Sequence, residues 1–171
     1  IIARCDVLLE NFRPGVIERL GFGYDAVREL RPDIIFCSVS GYGQDSPQRD
    51  WPAIDNIVQA TSGMMMLSGA EGDPPVRVGF PIVDTLTGQT AAIAVLGAIV
   101  RRLQGGGGSY IDVSMLDASM AFMTSALTPW LVTGQAMPRM GNTGYSGLPT
   151  ASLFTARDGR DLTVVTWGVG V

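Results

Sequence analysis

Val7-Leu8-Leu9-Glu10-Asn11-Phe12-Arg13-Pro14-Gly15 and, further along, Ile34-Ile35-Phe36-Cys37-Ser38-Val39 are the two stretches whose reading decides the fold. Each apolar run is continuous rather than alternating, the pattern of a strand covered on both faces, and each gives way to a polar, glycine-bearing loop. Between them, Gly15 to Leu20 reads as a helix closed by Gly21, and Asp25 as the cap of a second helix that ends before Pro32. Strand, helix and strand with buried runs predict a parallel sheet, and the fold class is therefore α/β.

Working outward, Ala53 to Met66 reads as a helix and Ser68 to Phe80 as an irregular loop rich in glycine and proline. Asp84 follows the short run Pro81-Ile82-Val83. The stretch Gly88 to Leu103 has no polar face before Arg101-Arg102, which predicts a helix buried on most sides. Gly105 to Gly108 reads as a flexible connection to a strand over Tyr110 to Val113. Ser114-Met115-Leu116-Asp117 resembles a capping box opening a methionine-rich helix that runs to about Leu127. From Met137 to Thr150 the composition shifts to Gly, Pro, Asn and Thr, which divides the chain into 1–138, part of a large domain, and 139–171, the start of a smaller one. A hairpin about Asp158-Gly159 joins Ser152 to Thr155 with Leu162 to Thr166. Ile1 to Asp6 lead directly into a strand and Thr163 to Val171 stop inside another, the expected look of a piece of a longer protein.

The 171 residues are 46% apolar and 16% charged, enough to bury a core, with a net charge of −4. There is no histidine, and all 12 cations are arginines. The commonest general base, the commonest metal ligand and Schiff-base chemistry are thereby excluded. No run of cations longer than Arg101-Arg102 offers a footprint for nucleic acid. The longest apolar stretch, Ala91 to Val100, is about half what a bilayer span needs, and no charged-then-apolar leader opens the chain. The expectation is a soluble, cytoplasmic protein with no metal site. Cys5 and Cys37 lie in or beside apolar runs and read as buried thiols rather than a disulfide.

Gly21-Phe22-Gly23-Tyr24-Asp25-Ala26 matches the letters of the dinucleotide fingerprint, but a helix precedes it where a strand is required, so it reads as a helix-to-helix turn. Gly105 to Gly108 has no lysine at phosphate-loop spacing and leads into a strand. Asp84 stands where backbone N–H groups and the positive end of a helix converge, a setting expected to keep it ionised. It is either a helix cap or a nucleophile aimed from a strand end into the crevice where parallel sheets bind ligands. Asn11, Phe12 and Arg13 follow another strand end, and could hold a nucleotide or form a solvated turn.

The ordered segments Glu10-Asn11-Phe12-Arg13-Pro14-Gly15, Leu20-Gly21-Phe22-Gly23-Tyr24, Ser38-Val39-Ser40-Gly41-Tyr42-Gly43, Asp55 to Gly63 and Asp112 to Ala118 closely resemble the family III CoA-transferases, the group of formyl-CoA transferase and carnitine CoA-transferase. The resemblance covers most of Asp6 to Gly159. It implies part of a Rossmann-like large domain, a smaller second domain, and an interlocked homodimer. Gly79 to Gly88 looks like the family segment that bears the catalytic aspartate, so the resemblance gives that role to Asp84. It gives CoA contacts to Asn11, Phe12 and Arg13, to Ala53 and Ile54, and to Arg19. Asp55 receives at most a supporting role. The implied reaction moves CoA between carboxylic acids through an aspartyl anhydride and an aspartyl-CoA thioester. Acyl-CoA and an acceptor acid are the partners, no cofactor is permanently bound, and this piece alone is inactive.

Two departures bear on the substrate. The usual Gly-x-Gly-Gln before the strand is Gly106-Gly107-Gly108-Ser109, and the family's glycine-rich substrate loop is represented by Gly141 to Gly147. The related α-methylacyl-CoA racemases carry a histidine at the position of Ile54, which this chain lacks. A racemase-like isomerase is therefore the second expectation, and an inactive CoA-binding module the third.

Overall fold

In a computed structural model, residues 1–165 are described; the end of the expected last strand, from Thr166 on, lies outside them. The chain runs β1 (Val7–Glu10), α1 (Val16–Arg19), α2 (Tyr24–Leu30), β2 (Ile35–Ser40), α3 (Asp55–Thr61), α4 (Ile82–Arg101), β3 (Ser109–Ser114), α5 (Met115–Phe122), α6 (Thr124–Thr133), β4 (Ser152–Thr155) and β5 (Asp161–Val164). β1, β2 and β3 form a parallel sheet in that order, with β2 in the middle. The mixed α/β class is thus the one the apolar runs predict.

The continuous apolar run of β2 is explained by what lies on its two faces. Phe36 joins Ile17, Val27 and Ile34 under α1 and α2, whereas Cys37 joins Ala91 and Val113 under α4. A third cluster, Val58, Met64, Val83, Leu86 and Met123, locks α3 and α5 against the first turns of α4. Because the strands are parallel, Glu10, Ser40 and Ser114 end them on one edge. At the opposite edge Arg102 and Arg31 both reach the Asp6 carboxylate, at 3.1 and 3.2 Å, pinning the end of α4 to the start of β1.

Several boundaries differ from the sequence reading. α2 is capped by Gly23 with no side-chain hydrogen bond, and Asp25 sits inside its first turn. The helix expected over Ala53 to Met66 stops at Thr61, because Gly63 turns left-handed (φ 78°), and Met64–Met66 form a separate tight turn. α4 begins at Ile82, a little ahead of the start near Thr85 expected from the sequence, with Asp84 in its first turn. Continued through Gly106, it is long and apolar enough, by length and composition alone, to cross a membrane, which the short run Ala91 to Val100 does not suggest. It lies along β2, β3, α3 and α5. The four glycines are not a loose connection: a Cβ on Gly108 would stand 2.5 Å from the Ile34 carbonyl oxygen, so the close approach of the strands requires glycine there. Ser114 caps α5 as read, its Oγ accepting from the Asp117 N–H at 3.1 Å. α5 ends at Phe122, and α6, with Pro129 inside it, follows as a separate helix that the pattern does not predict. Cys37 is buried as expected, Cys5 only half-buried, and the two are unpaired.

β4 and β5 pair antiparallel, Ser152 opposite Val164, as a hairpin apart from the parallel sheet. Met140 bridges Ala70, and the Gly141 N–H donates to the Gly69 carbonyl at 2.9 Å. The Arg139 Nε donates to the Ser68 carbonyl at 2.7 Å, so this stretch is fastened to the loop before α4.

Candidate active site

The carboxyl ends of the parallel strands open onto a cavity of about 620 Å³. Three chain exits and one helix start build it. Asn11, Phe12, Arg13 and Pro14 leave β1, Ser40 and Gly41 leave β2, Met115 follows β3, and α4 presents Asp84, Thr87 and Gly88. Arg49, Trp51, Ala53, Ile54 and Asp55 close the wall on the side of α3. This is the edge at which open α/β sheets hold ligands.

The exit from β1 is shaped by Glu10. Its side chain, buried at the strand end, accepts the Phe12 N–H at 2.8 Å and bends the chain so that Phe12 is exposed at the cavity. The exit from β2 is shaped by Ser40, whose Oγ accepts the Gly43 N–H at 3.1 Å, and by Asp112 of β3, which accepts the Gln44 N–H at 2.8 Å. Gly41 lets the lead-in to α3 close over the strand end, since a Cβ there would lie 2.0 Å from that of Ala53.

The start of α4 is held from outside the helix. The Asp55 Oδ2 accepts from the Val83 N–H at 2.8 Å and the Asp84 N–H at 3.2 Å. These are two of the donors that a first helical turn leaves without partners, so Asp55 caps α4 across 28 residues of chain. Asp84 itself caps nothing. Its carboxylate opens onto the cavity with no hydrogen bond or ion pair among the described residues. The helix terminus does not serve the Asp84 carboxylate, because Asp55 already occupies those N–H groups. Burial against the cavity wall, and then the Asp55 charge, instead raise the Asp84 pKa from the ordinary aspartate value.

Of the residues singled out from sequence, the cavity gathers Asp84, Asn11, Phe12, Arg13, Ala53 and Ile54, and leaves out Arg19, which ends α1. The loop Gly141 to Gly147 does not line it. Gly141, Thr143 and Tyr145 border a separate apolar cavity of about 290 Å³ with Phe122, Met123 and Met137. Sequence reasoning missed Arg49, Trp51 and Thr87 in the wall and the bracing parts played by Glu10 and Asp55. A sign of the last was available: Asp55 and Gln59 stand four apart on one helix, and a glutamine on an apolar face needs a partner. Among the described residues no cluster of side chains suited to a metal occurs.

Comparison with known proteins agrees with this architecture. The chain is 44% identical over 159 residues to the acetyl-CoA:oxalate CoA-transferase of Acetobacter aceti, an alignment covering 92% of this chain and 41% of that one. It is 33% identical over 159 residues to the succinyl-CoA:glutarate CoA-transferase of Mus musculus, covering 93% and 36%. The crystal structure of a CAIB/BAIF family protein from Brucella suis superposes with a TM-score of 0.86 at 28% identity, covering 92% of this chain and 42% of that one. The chain thus spans about two-fifths of the length of these relatives. Residues 1–168 match the model of CoA-transferase family III, and the chain belongs to that family.

Proposed function

We propose that the protein carrying this chain transfers CoA between carboxylic acids and that Asp84 is its nucleophile. The observation that carries the reading is the meeting, in one cavity, of an unpartnered carboxylate with the Asn11-Phe12-Arg13 exit and the Ala53-Ile54 wall. An Asp84 oxygen attacks the donor thioester carbonyl carbon, the C–S bond breaks, and CoA departs as thiolate, leaving a mixed anhydride. The thiolate then attacks the Asp84 carboxyl carbon and expels the donor carboxylate, which leaves an aspartyl-CoA thioester. An acceptor carboxylate attacks that thioester, and the thiolate released resolves the new anhydride, regenerating Asp84. No proton changes hands, so a chain without histidine is suited to it. The Val83 and Asp84 N–H groups already serve Asp55 and are not free to hold an oxyanion.

The exposed Phe12, Trp51 and Ile54 offer apolar area for the pantetheine arm or the adenine, with Arg13 and Arg49 as cations for phosphate or acceptor carboxylate. The relatives named for oxalate and glutarate suggest a short dicarboxylic acid as acceptor. A homodimer in the cytoplasm, with this chain inactive alone, completes the proposal. In the test, the full-length protein is mixed with acyl-CoA and no acceptor, treated with hydroxylamine and digested. Modification is expected on the peptide bearing Asp84, and Asp84→Asn should lose roughly a thousandfold or more of transfer while still binding CoA. An adduct elsewhere, or full transfer by Asp84→Asn without deamidation, refutes it.

A further inference from the structure

Gln59 is fully buried on α3, and its hydrogen bonds impose a direction on everything around it. Its Oε1 accepts the Val78 N–H at 2.8 Å, which leaves Nε2 as the donor, and Nε2 donates to Asp55 Oδ1 at 2.6 Å. The other Asp55 oxygen takes the Val83 and Asp84 N–H groups. Three donors therefore converge on the residue at position 55, which must present two acceptor oxygens and no hydrogen. Only an ionised carboxylate does so. An asparagine offers one acceptor and one donor, and neither orientation satisfies the set. Turning Gln59 over to meet it would bring the glutamine NH₂ against the Val78 N–H. The network ties the loop before α4, α3 and the first turn of α4 into one unit, with Asp84 as the first side chain beyond it.

We infer that Asp55, oriented by Gln59, is a positioning residue for the Asp84 carboxylate: it fixes the backbone from which Asp84 projects and sets a negative charge beside it. The inference rests on the reading of Asp84 as nucleophile. A neighbouring negative charge disfavours a second one, so Asp84 is a stronger base and a stronger nucleophile once ionised, at the cost of being protonated at higher pH. Other charged or titratable groups near α4 are Cys37 on β2 and Asp117 on α5, with Arg13 and Arg49 across the cavity, whereas Tyr110 on β3 packs against Tyr24 and Phe36 on the opposite face of the sheet. Beside burial, the Asp55 charge is what raises the Asp84 pKa.

A transposition of charge tests this. Asp55→Asn breaks the network and removes the charge, whereas Asp55→Asn with Gln59→Glu restores every hydrogen bond and moves the charge to the far side of the bond between residues 55 and 59, away from the Val83 and Asp84 N–H groups. In the full-length protein, Asp55→Asn should lower kcat about 10- to 100-fold, a loss typical of mispositioning, with KM for acyl-CoA within about twofold. The double variant should recover most of kcat. In both, the acidic limb of the kcat profile should move to lower pH. So should the pH dependence of carbodiimide labelling of the Asp84 peptide, measured by mass spectrometry without substrate. If Asp55→Asn does not fold, the double variant, whose hydrogen bonds are complete, carries the same two pH readings. An acidic limb and labelling profile unmoved from wild type overturn the inference. So does a double variant that folds but recovers no kcat. The labelling measurement needs no turnover, so the shift at Asp84 can stand even where Asp84→Asn shows the nucleophile to be another group.

Discussion

At the scale of the residue, the raised pKa of Asp84 has consequences for both stability and rate. The folded state holds the proton more tightly than the unfolded chain does, so the stability contributed by protonated Asp84 is complete below about pH 4 and is lost as pH rises through the folded value. At neutral pH the wild-type protein therefore sustains a cost that Asp84→Asn does not. Urea denaturation of the full-length protein should show the asparagine variant to be the more stable at pH 7, with the gap closing by about pH 3.5. The difference should be modest, since the carboxyl faces an open cavity. The rate should respond in the opposite sense: transfer should fall as pH drops through the Asp84 value, at a higher pH than an ordinary aspartate would give, because the protonated acid does not attack. Cys37 illustrates the contrast between titration and function. Burial, then Glu10 and Asp112, push its thiol up, and as a neutral side chain under α4 it packs rather than reacts.

Elements meet at this site through glycines whose absent side chains set the spacing. Gly41 is the contact between the end of β2 and the lead-in to α3, and an added methyl would overlap the Ala53 Cβ at 2.0 Å. Gly41→Ala should cost about 1–3 kcal/mol in chemical denaturation and raise KM for acyl-CoA, since Ala53 and Ile54 must retreat from the cavity wall. Adding Ala53→Gly should return most of both, a coupling that a double-mutant cycle reads directly. An additive double variant would mean that Gly41 serves some purpose other than this contact. The helix α4 shows the converse, an element with a face left over. Its inner positions Val83, Leu86, Ala91 and Ala98 are buried, while Ile93, Leu96 and Val100, and Leu103 just beyond, stand exposed at spacings of three and four residues.

For the whole molecule, that outer stripe and the exposed Leu131 and Val132 of α6 make the described chain a poor free monomer. Each such side chain, once covered, contributes roughly 1.5–3 kcal/mol. β1 and β3 also each leave one edge unpaired in a three-stranded sheet. Expressed alone, the 171-residue chain should self-associate and bind a hydrophobic dye, as read by light scattering and fluorescence. A monodisperse, cooperatively unfolding monomer would contradict this.

The sequence by itself determined the parallel α/β layout, because strands covered on both faces must be written as unbroken apolar runs, and Val7 to Leu9 and Ile34 to Val39 are so written. It determined the Ser114 cap as well, and with no histidine or lysine in these residues it left carboxylates and hydroxyls as their candidates for covalent chemistry. Local pattern also brought attention to Asp84, Asn11, Phe12 and Arg13, each near the end of an apolar run or the start of a helix, while Ala53 and Ile54 came only from the family resemblance. The tertiary structure decided what those residues share. The Asp55 cap spans 28 residues, and the bond from Val78 to Gln59 spans 19, separations at which no helical or strand period carries information. The direction of the Asp84 shift was decided there too, since burial against the cavity wall, and then the charge of Asp55, which also takes the first N–H groups of α4, act on Asp84 only once the chain is folded.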